Sequence, residues 1–147
     1  MFKCGSWMAF FGLALGVMAG CDSGPPIEDV TGVVTLDGKP LPDIRVLFQP
    51  QNQDPELAGT GSYGLTDNDG KFVLKLSDSD RDGAVVGVHT VILSDKLTEG
   101  PEESDAGDIG KGPRSRIPYK YNASPPTYEV KRGEENRAKI ELTSRRS

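Results

Sequence analysis

Apolar and polar residues alternate along most of this chain in short runs, separated by clusters of Gly, Pro, Asn and Asp. A period of two is the signature of strands that bury one face. The series opens with Val30-Thr31-Gly32-Val33-Val34-Thr35-Leu36, which sets Val30, Val34 and Leu36 on one face and the threonines on the other, and Asp37-Gly38 stops it with a turn. Ile44-Arg45-Val46-Leu47-Phe48 alternates strongly and is closed by Gln49-Pro50, which sends Ile44, Val46 and Phe48 toward a core. Residues 59–66 make a weaker, glycine-rich strand of the kind found at an edge or a bulge. Asp67-Asn68-Asp69-Gly70 then turns the chain into residues 71–76, where Phe72, Leu74 and Leu76 share a face; this run is expected to return on the preceding strand as a hairpin. In residues 88–94, His89, Val91 and Leu93 oppose Val88, Thr90 and Ile92, and the two largely apolar faces suit a central strand. Residues 127–131 and 137–142, joined by residues 132–136, complete a set of seven.

Seven short strands without a helix of normal length predict an all-β fold, a seven-stranded β-sandwich with Greek-key connections. The domain should span residues 28–143, with residues 144–147 as a tail. Within it, residues 96–116 form a long acidic loop in which only Leu97 and Ile109 are large and apolar. A structureless stretch of that length is usually functional or disordered. Its composition buries too little to offset ordering, which favours a flexible segment.

The first twenty residues follow different rules. Lys3 supplies a basic start, residues 7–18 an apolar run, and Ala19-Gly20 the small side chains that admit a peptidase, the three parts of a secretory signal. The run is shorter than the roughly 20 apolar residues a spanning helix needs. Met18-Ala19-Gly20-Cys21 resembles the lipobox of bacterial lipoproteins, with Met where most such boxes carry Leu. The resemblance implies cleavage before Cys21 and a diacylglyceryl thioether on its sulfur. Residues 1–20 are thus expected to be a leader, and residues 21–27, rich in Gly, Pro and polar side chains, a lipidated tether. Cys4 would leave with the leader, so Cys21 becomes the only cysteine and the domain has no disulfide to rely on. Two or more acyl chains, each contributing about 0.8 kcal/mol per buried methylene, give durable attachment to a membrane. Asp22 resembles an inner-membrane retention signal of some bacteria, but does not decide the leaflet.

Four motifs, in order, carry a further resemblance. They are residues 32–43 leading into the strand from Ile44; Thr66-Asp67-Asn68-Asp69-Gly70-Lys71-Phe72; residues 82–91, with His89 where Tyr is common; and Ile117-Pro118-Tyr119-Lys120-Tyr121-Asn122 leading into Thr127-Tyr128-Glu129-Val130. Together they resemble the carboxypeptidase-regulatory-like domains of bacterial lipoproteins, which share a prealbumin-like, or transthyretin-like, β-sandwich. That implies a non-catalytic module of the cell envelope with a structural or binding role. Gly38 and Gly70 fall where tight turns need a positive φ, and Pro40 and Pro42 stiffen the crossing between the first two strands.

Charge and candidate chemistry narrow the role further. The whole chain carries a net charge of −5, and loss of Lys3 with the leader takes it to −6, which argues against nucleic acid as a partner. Asp67, Asn68 and Asp69 offer hard oxygens to a Ca²⁺ ion, the only cofactor suggested. They fall short of the six to eight or so oxygens calcium takes, and a turn whose Asp and Asn bond their own backbone explains them better. Asp78-Ser79-Asp80-Arg81-Asp82-Gly83 imitates the start of an EF-hand loop, but its twelfth position is His89 and no helices flank it. With His89 as the only histidine, neither a Ser-His-Asp triad nor a His-rich metal site can be assembled, and a packed or edge residue is expected there. Hydroxyisourate hydrolases share the transthyretin-like fold but end in Tyr-Arg-Gly-Ser; this chain ends Thr143-Ser144-Arg145-Arg146-Ser147, and no enzyme is expected. Tyr119, Tyr121 and Tyr128 could form an aromatic platform for sugar or peptide, or close the end of the core. The partners anticipated are the membrane, through the lipid, and an envelope protein or polysaccharide; a calcium-stabilised carbohydrate-binding or adhesion domain is the alternative.

Overall fold

The computed structural model describes residues 24–52, 59–98 and 113–145. The leader, Cys21, Asp22 and the middle of the acidic loop lie outside the described residues. The chain is mostly β. Its strands are β1 (Ile27–Glu28), β2 (Val30–Leu36), β3 (Lys39–Pro40), β4 (Ile44–Pro50), β5 (Ser62–Leu65), β6 (Lys71–Val73), β7 (Lys75–Leu76), β8 (Ala84–Val85), β9 (Gly87–Asp95), β10 (Thr127–Val130) and β11 (Asn136–Leu142). A short helix, α1 (Tyr119–Ala123), precedes β10, and a 3₁₀ turn, Lys96–Thr98, follows β9.

Two main sheets share one core. The larger runs β10-β9-β4-β5-β7, antiparallel throughout. The smaller runs β11-β2-β3, and β6 also pairs with β2. β2 and β11 lie parallel, matched over their full length from Asn136 opposite Val30 to Leu142 opposite Leu36. Alternation explains the packing. Val30 and Val34 of β2, Ile44, Val46 and Phe48 of β4, Val91 and Leu93 of β9, and Ala138, Ile140 and Leu142 of β11 all turn inward into a single cluster. A separate pair, β1 with β8, closes the end where the chain enters, and there the Val86 N–H donates to the Pro26 carbonyl at 2.8 Å.

Eleven strands replace the seven expected among the described residues. Three of the additions, β1, β3 and β8, are two-residue pairings too short to leave a periodic trace. The fourth comes from a division of residues 71–76. This run does not return whole on β5: Lys71–Val73 pairs with β2 in the smaller sheet, and Lys75–Leu76 pairs with β5 in the larger. Thr66 anchors the turn that precedes this run. Its buried hydroxyl accepts the Ile44 N–H at 2.9 Å and donates to the Leu41 carbonyl at 2.8 Å, tying the turn to the β3–β4 connection, while the Asp67 N–H on the Lys71 carbonyl at 2.9 Å closes the expected hairpin in the register that β5 and β7 continue.

Two further expectations are corrected. β5 lies between β4 and β7, not at an edge. Its glycine serves a close approach: a side chain on Gly64 would meet the Val73 carbonyl oxygen at 2.6 Å. β9 is central as expected, yet only one of its faces is covered, because Val88 and Ile92 are 45% and 39% exposed on the outside of the sheet.

Gly38 and Gly70 do adopt the positive φ their turns require, +79° and +71°. Gly32 has a different reason to be glycine. A Cβ there would press into the Phe72 ring and stand 2.6 Å from the Ala138 carbonyl oxygen, between the two strands that flank β2. Backbone on one side and a buried ring on the other leave nowhere to shift. Gly32→Ala is therefore expected to destabilise the fold by about 2 kcal/mol through overpacking, read as a lowered midpoint in urea denaturation with the slope unchanged.

Candidate functional site

The sandwich has two dissimilar ends. At one, the chain enters beside β8. At the other, β2 and β11 finish together, where the Asp37 N–H donates to the Leu142 carbonyl at 2.8 Å and the Asp37 carboxylate accepts the Ser144 N–H and hydroxyl at 3.0 and 2.7 Å. The 66–70 turn, the 3₁₀ turn and α1 gather at this second end.

Its centre is an ion pair. Asp95 continues the inward row of β9 after His89, Val91 and Leu93, so its carboxylate is delivered to the core side with its side chain wholly covered. Arg116 meets it as a fork: Nε donates to Oδ2 at 2.9 Å and Nη2 to Oδ1 at 2.8 Å. The Arg116 backbone N–H adds a third bond to Oδ2 at 2.8 Å, and the Leu97 N–H a fourth to Oδ1 at 3.2 Å. Nη2 also donates to the Pro42 carbonyl at 2.9 Å. Every carboxylate lone pair that can be reached is used, as a buried charge requires. These hydrogen bonds from Arg116 hold the Asp95 carboxyl below its ordinary value, with the Leu97 N–H helping and burial opposing.

The fork clasps the two ends of the long acidic loop across 21 positions of sequence. Residues 96–116 are accordingly not free over that whole span. Lys96–Thr98 form a turn, with the Lys96 N–H on the Asp43 carbonyl at 3.0 Å and the Thr98 hydroxyl on the Asp95 carbonyl at 2.7 Å, while Arg116 is locked and Ile117 next to it is buried. Neither Asp95 nor Arg116 was singled out by motif. The available signal was the alternation itself: extending the inward row of β9 by two places puts a carboxylate in the core, which demands a cation. Asn136 is a second such residue, one step before the inward row of β11. Its amide bonds the Lys131 N–H and carbonyl and the Glu134 carbonyl, holding the 131–135 turn at the entry end.

The residues expected to carry chemistry are dispersed. Asp67 Oδ1 accepts the N–H groups of Asp69 at 2.9 Å and Lys71 at 2.8 Å, a turn bonding its own backbone, and Asp69 pairs with Lys71 at 3.5 Å. Among the described residues no three His, Cys, Asp or Glu side chains come together in a metal-binding group. The 78–83 loop is tied by backbone, with the Leu76 N–H on the Arg81 carbonyl and the Gly83 N–H on the Leu74 carbonyl. His89 is fully buried against Phe48, its Nε2 donating to the Val85 carbonyl at 2.7 Å and its Nδ1 left without a hydrogen-bond partner. The three tyrosines form no platform. Tyr128 packs on Phe48 with ring centroids 5.5 Å apart, Tyr121 leans on the core and its oxygen accepts the Thr143 N–H at 2.9 Å, and Tyr119 stands 81% exposed.

The site and fold together define an all-β domain with a charge-clamped loop at one end. No helix among the described residues is long and apolar enough to cross a membrane. No family model, curated protein or solved structure matches the chain.

Two pH effects follow. Because Asp95 is held below its ordinary 3.8, the fork's contribution is complete at neutral pH and is lost as pH falls below that value and through the folded one. Arg116→Ala, which strands the buried carboxylate, should lower stability at pH 7 on the order of 3 kcal/mol, and Asp95→Asn should lose the acid-dependent part of the denaturation curve below about pH 4. Burial lowers the His89 value from 6.5, outweighing the pull of the Val85 and Phe48 carbonyls. The unfolded chain takes up a proton below that pH while the folded ring resists it, so stability falls as pH drops from 6.5 toward the folded value. His89→Leu should flatten that segment of the stability profile, measured by urea unfolding at half-unit steps of pH.

Proposed function

We propose that this chain is an exported bacterial lipoprotein, attached to a membrane through Cys21, whose carboxypeptidase-regulatory-like domain acts as a non-catalytic structural or binding module of the cell envelope. In this reading the sheets follow a prealbumin-like Greek-key plan. The partner is an envelope protein or polysaccharide met at the end remote from the point of entry. The observation that carries this reading is the Asp95–Arg116 fork, which fixes both ends of the acidic loop at that remote end. A binding loop held at its base by a rigid scaffold is a common design for recognition. The absence of a catalytic role is supported by the placement of His89, whose ring is enclosed by Phe48 and the strand backbone. The calcium-stabilised alternative gains nothing from Asp67, whose Oδ1 is occupied by its own turn.

Two measurements test the reading. Cys21→Ser should move the protein from the membrane to the soluble fraction with its circular dichroism unchanged; a variant that stays membrane-bound would overturn the anchor. Deleting residues 99–112 should leave the melting temperature within a few degrees of the parent and abolish co-purification of envelope partners. Unchanged partners would remove the loop as the contact.

A further inference from the structure

At the entry end, a groove of about 810 Å³ is lined by Gly24, Pro25 and Pro26 together with Arg81, Arg132, Glu28 and Asp78. Both arginines are exposed, and neither guanidinium has a hydrogen bond or ion pair to a described residue. Nearby charges are already engaged elsewhere: Lys75 with Asp82 at 3.8 Å and Lys131 with Glu134 at 3.8 Å. Glu28 uses one oxygen on the Gly133 N–H at 3.0 Å and keeps the other, and Asp78 has no hydrogen-bond or ion-pair partner among the described residues. The groove is therefore lined by two cationic forks and two carboxylates.

Chain length determines what this surface can meet. Three peptide steps separate Cys21 from Gly24, and an extended chain covers at most about 3.6 Å per step, so this end stands within roughly 11 Å of the Cys21 Cα, with the lipidated sulfur one short side chain beyond. On the anchor reading, on which this inference rests, that sulfur lies at the headgroup level of a bilayer. We propose that the entry groove seats zwitterionic phospholipid headgroups of the phosphatidylethanolamine type, the phosphate on Arg81 and Arg132 and the primary ammonium on Asp78 and Glu28. Guanidinium forks suit phosphate oxygens, and a carboxylate suits an ammonium that can donate. A purely anionic headgroup would satisfy the arginines and leave the carboxylates opposed by like charge. Seating this end on the bilayer directs the Asp95–Arg116 end outward, since β2 alone carries the fold about 23 Å from one end to the other, at roughly 3.3 Å for each of its seven residues.

The test uses the lipidated chain in vesicles of phosphatidylcholine with or without phosphatidylethanolamine, doped with a gadolinium-chelating lipid. A nitroxide at Ser79→Cys, on the groove, should relax severalfold faster than one at Asn68→Cys, on the opposite end. The difference should grow when phosphatidylethanolamine is included and shrink in the Arg81→Gln, Arg132→Gln double variant, whose vesicle attachment through the lipid is retained. Equal relaxation at the two positions, or a double variant that behaves as the parent, would overturn the groove as a headgroup seat while leaving the anchor in place. A chain that does not float with the vesicles would overturn the anchor, and the headgroup seat with it.

Discussion

Two sheets can share a core only where the chain passes from one to the other without stranding its own peptide groups, and Leu74 is where this chain does so. The residues before it pair with β2 and those after it with β5. Its side chain is fully buried between them. Its N–H donates to the Val30 carbonyl at 3.0 Å, and its carbonyl accepts the Gly83 N–H at 2.8 Å, so both backbone groups are satisfied in the dry interior. One bond reaches back to the smaller sheet and the other forward to the loop that leads into β8. The alternation of Phe72, Leu74 and Leu76 continues unbroken through the crossing, so all three side chains still face one core. Gly64 permits the neighbouring strand to come close enough for this, and Gly32 does the same on the other side of Phe72.

That crossing shows what alternation reveals and what it conceals. Ile44, Val46 and Phe48 could be assigned to the interior from spacing alone, because a period of two has only two faces and one of them was apolar. The turns at Gly38 and Gly70 were equally plain, since their residue types follow from a backbone angle. Pairing partners were not. The pattern of residues 71–76 is identical whether the run only closes a hairpin or also lends its first half to the other sheet. The pairing of Lys71–Val73 with β2 lies about 40 positions away in sequence, and Thr66 ties the turn to residues 22 and 25 positions away, contacts at a distance no local pattern reports. The edge assignment of β5 failed for a related reason: glycine signals that something comes close, without saying whether solvent or another strand does.

The candidate site was half legible. Asp95 stood in the inward row of its strand, and a carboxylate in that row is as informative as an apolar residue, because it must be answered. The answer, Arg116, sat in a segment whose composition read as flexible. Composition averages over a segment, and one well-placed guanidinium bearing three hydrogen bonds does not alter an average. Tyr119, Tyr121 and Tyr128 show the converse. Close in sequence, they take three different environments, since a short helix and the bend at Ser124 after it separate the first two from Tyr128.

A buried ion pair is a poor way to add stability, because removing both charges from water offsets much of their attraction. Its value here lies in geometry. An apolar pair in the same place would pack in several rotamers and accept a loop base shifted by a residue. The fork accepts one arrangement: the Arg116 backbone N–H and side chain must reach the same carboxylate while Nη2 finds the Pro42 carbonyl. That condition fixes where the chain leaves the sandwich after β9 and where it returns before α1. It also links the returning chain to the β3–β4 connection through Pro42, so the base of the loop is referenced to both sheets at once. Both ends of the acidic segment are then held at a defined place on the domain, which separates the task of positioning the loop from the task of binding with it.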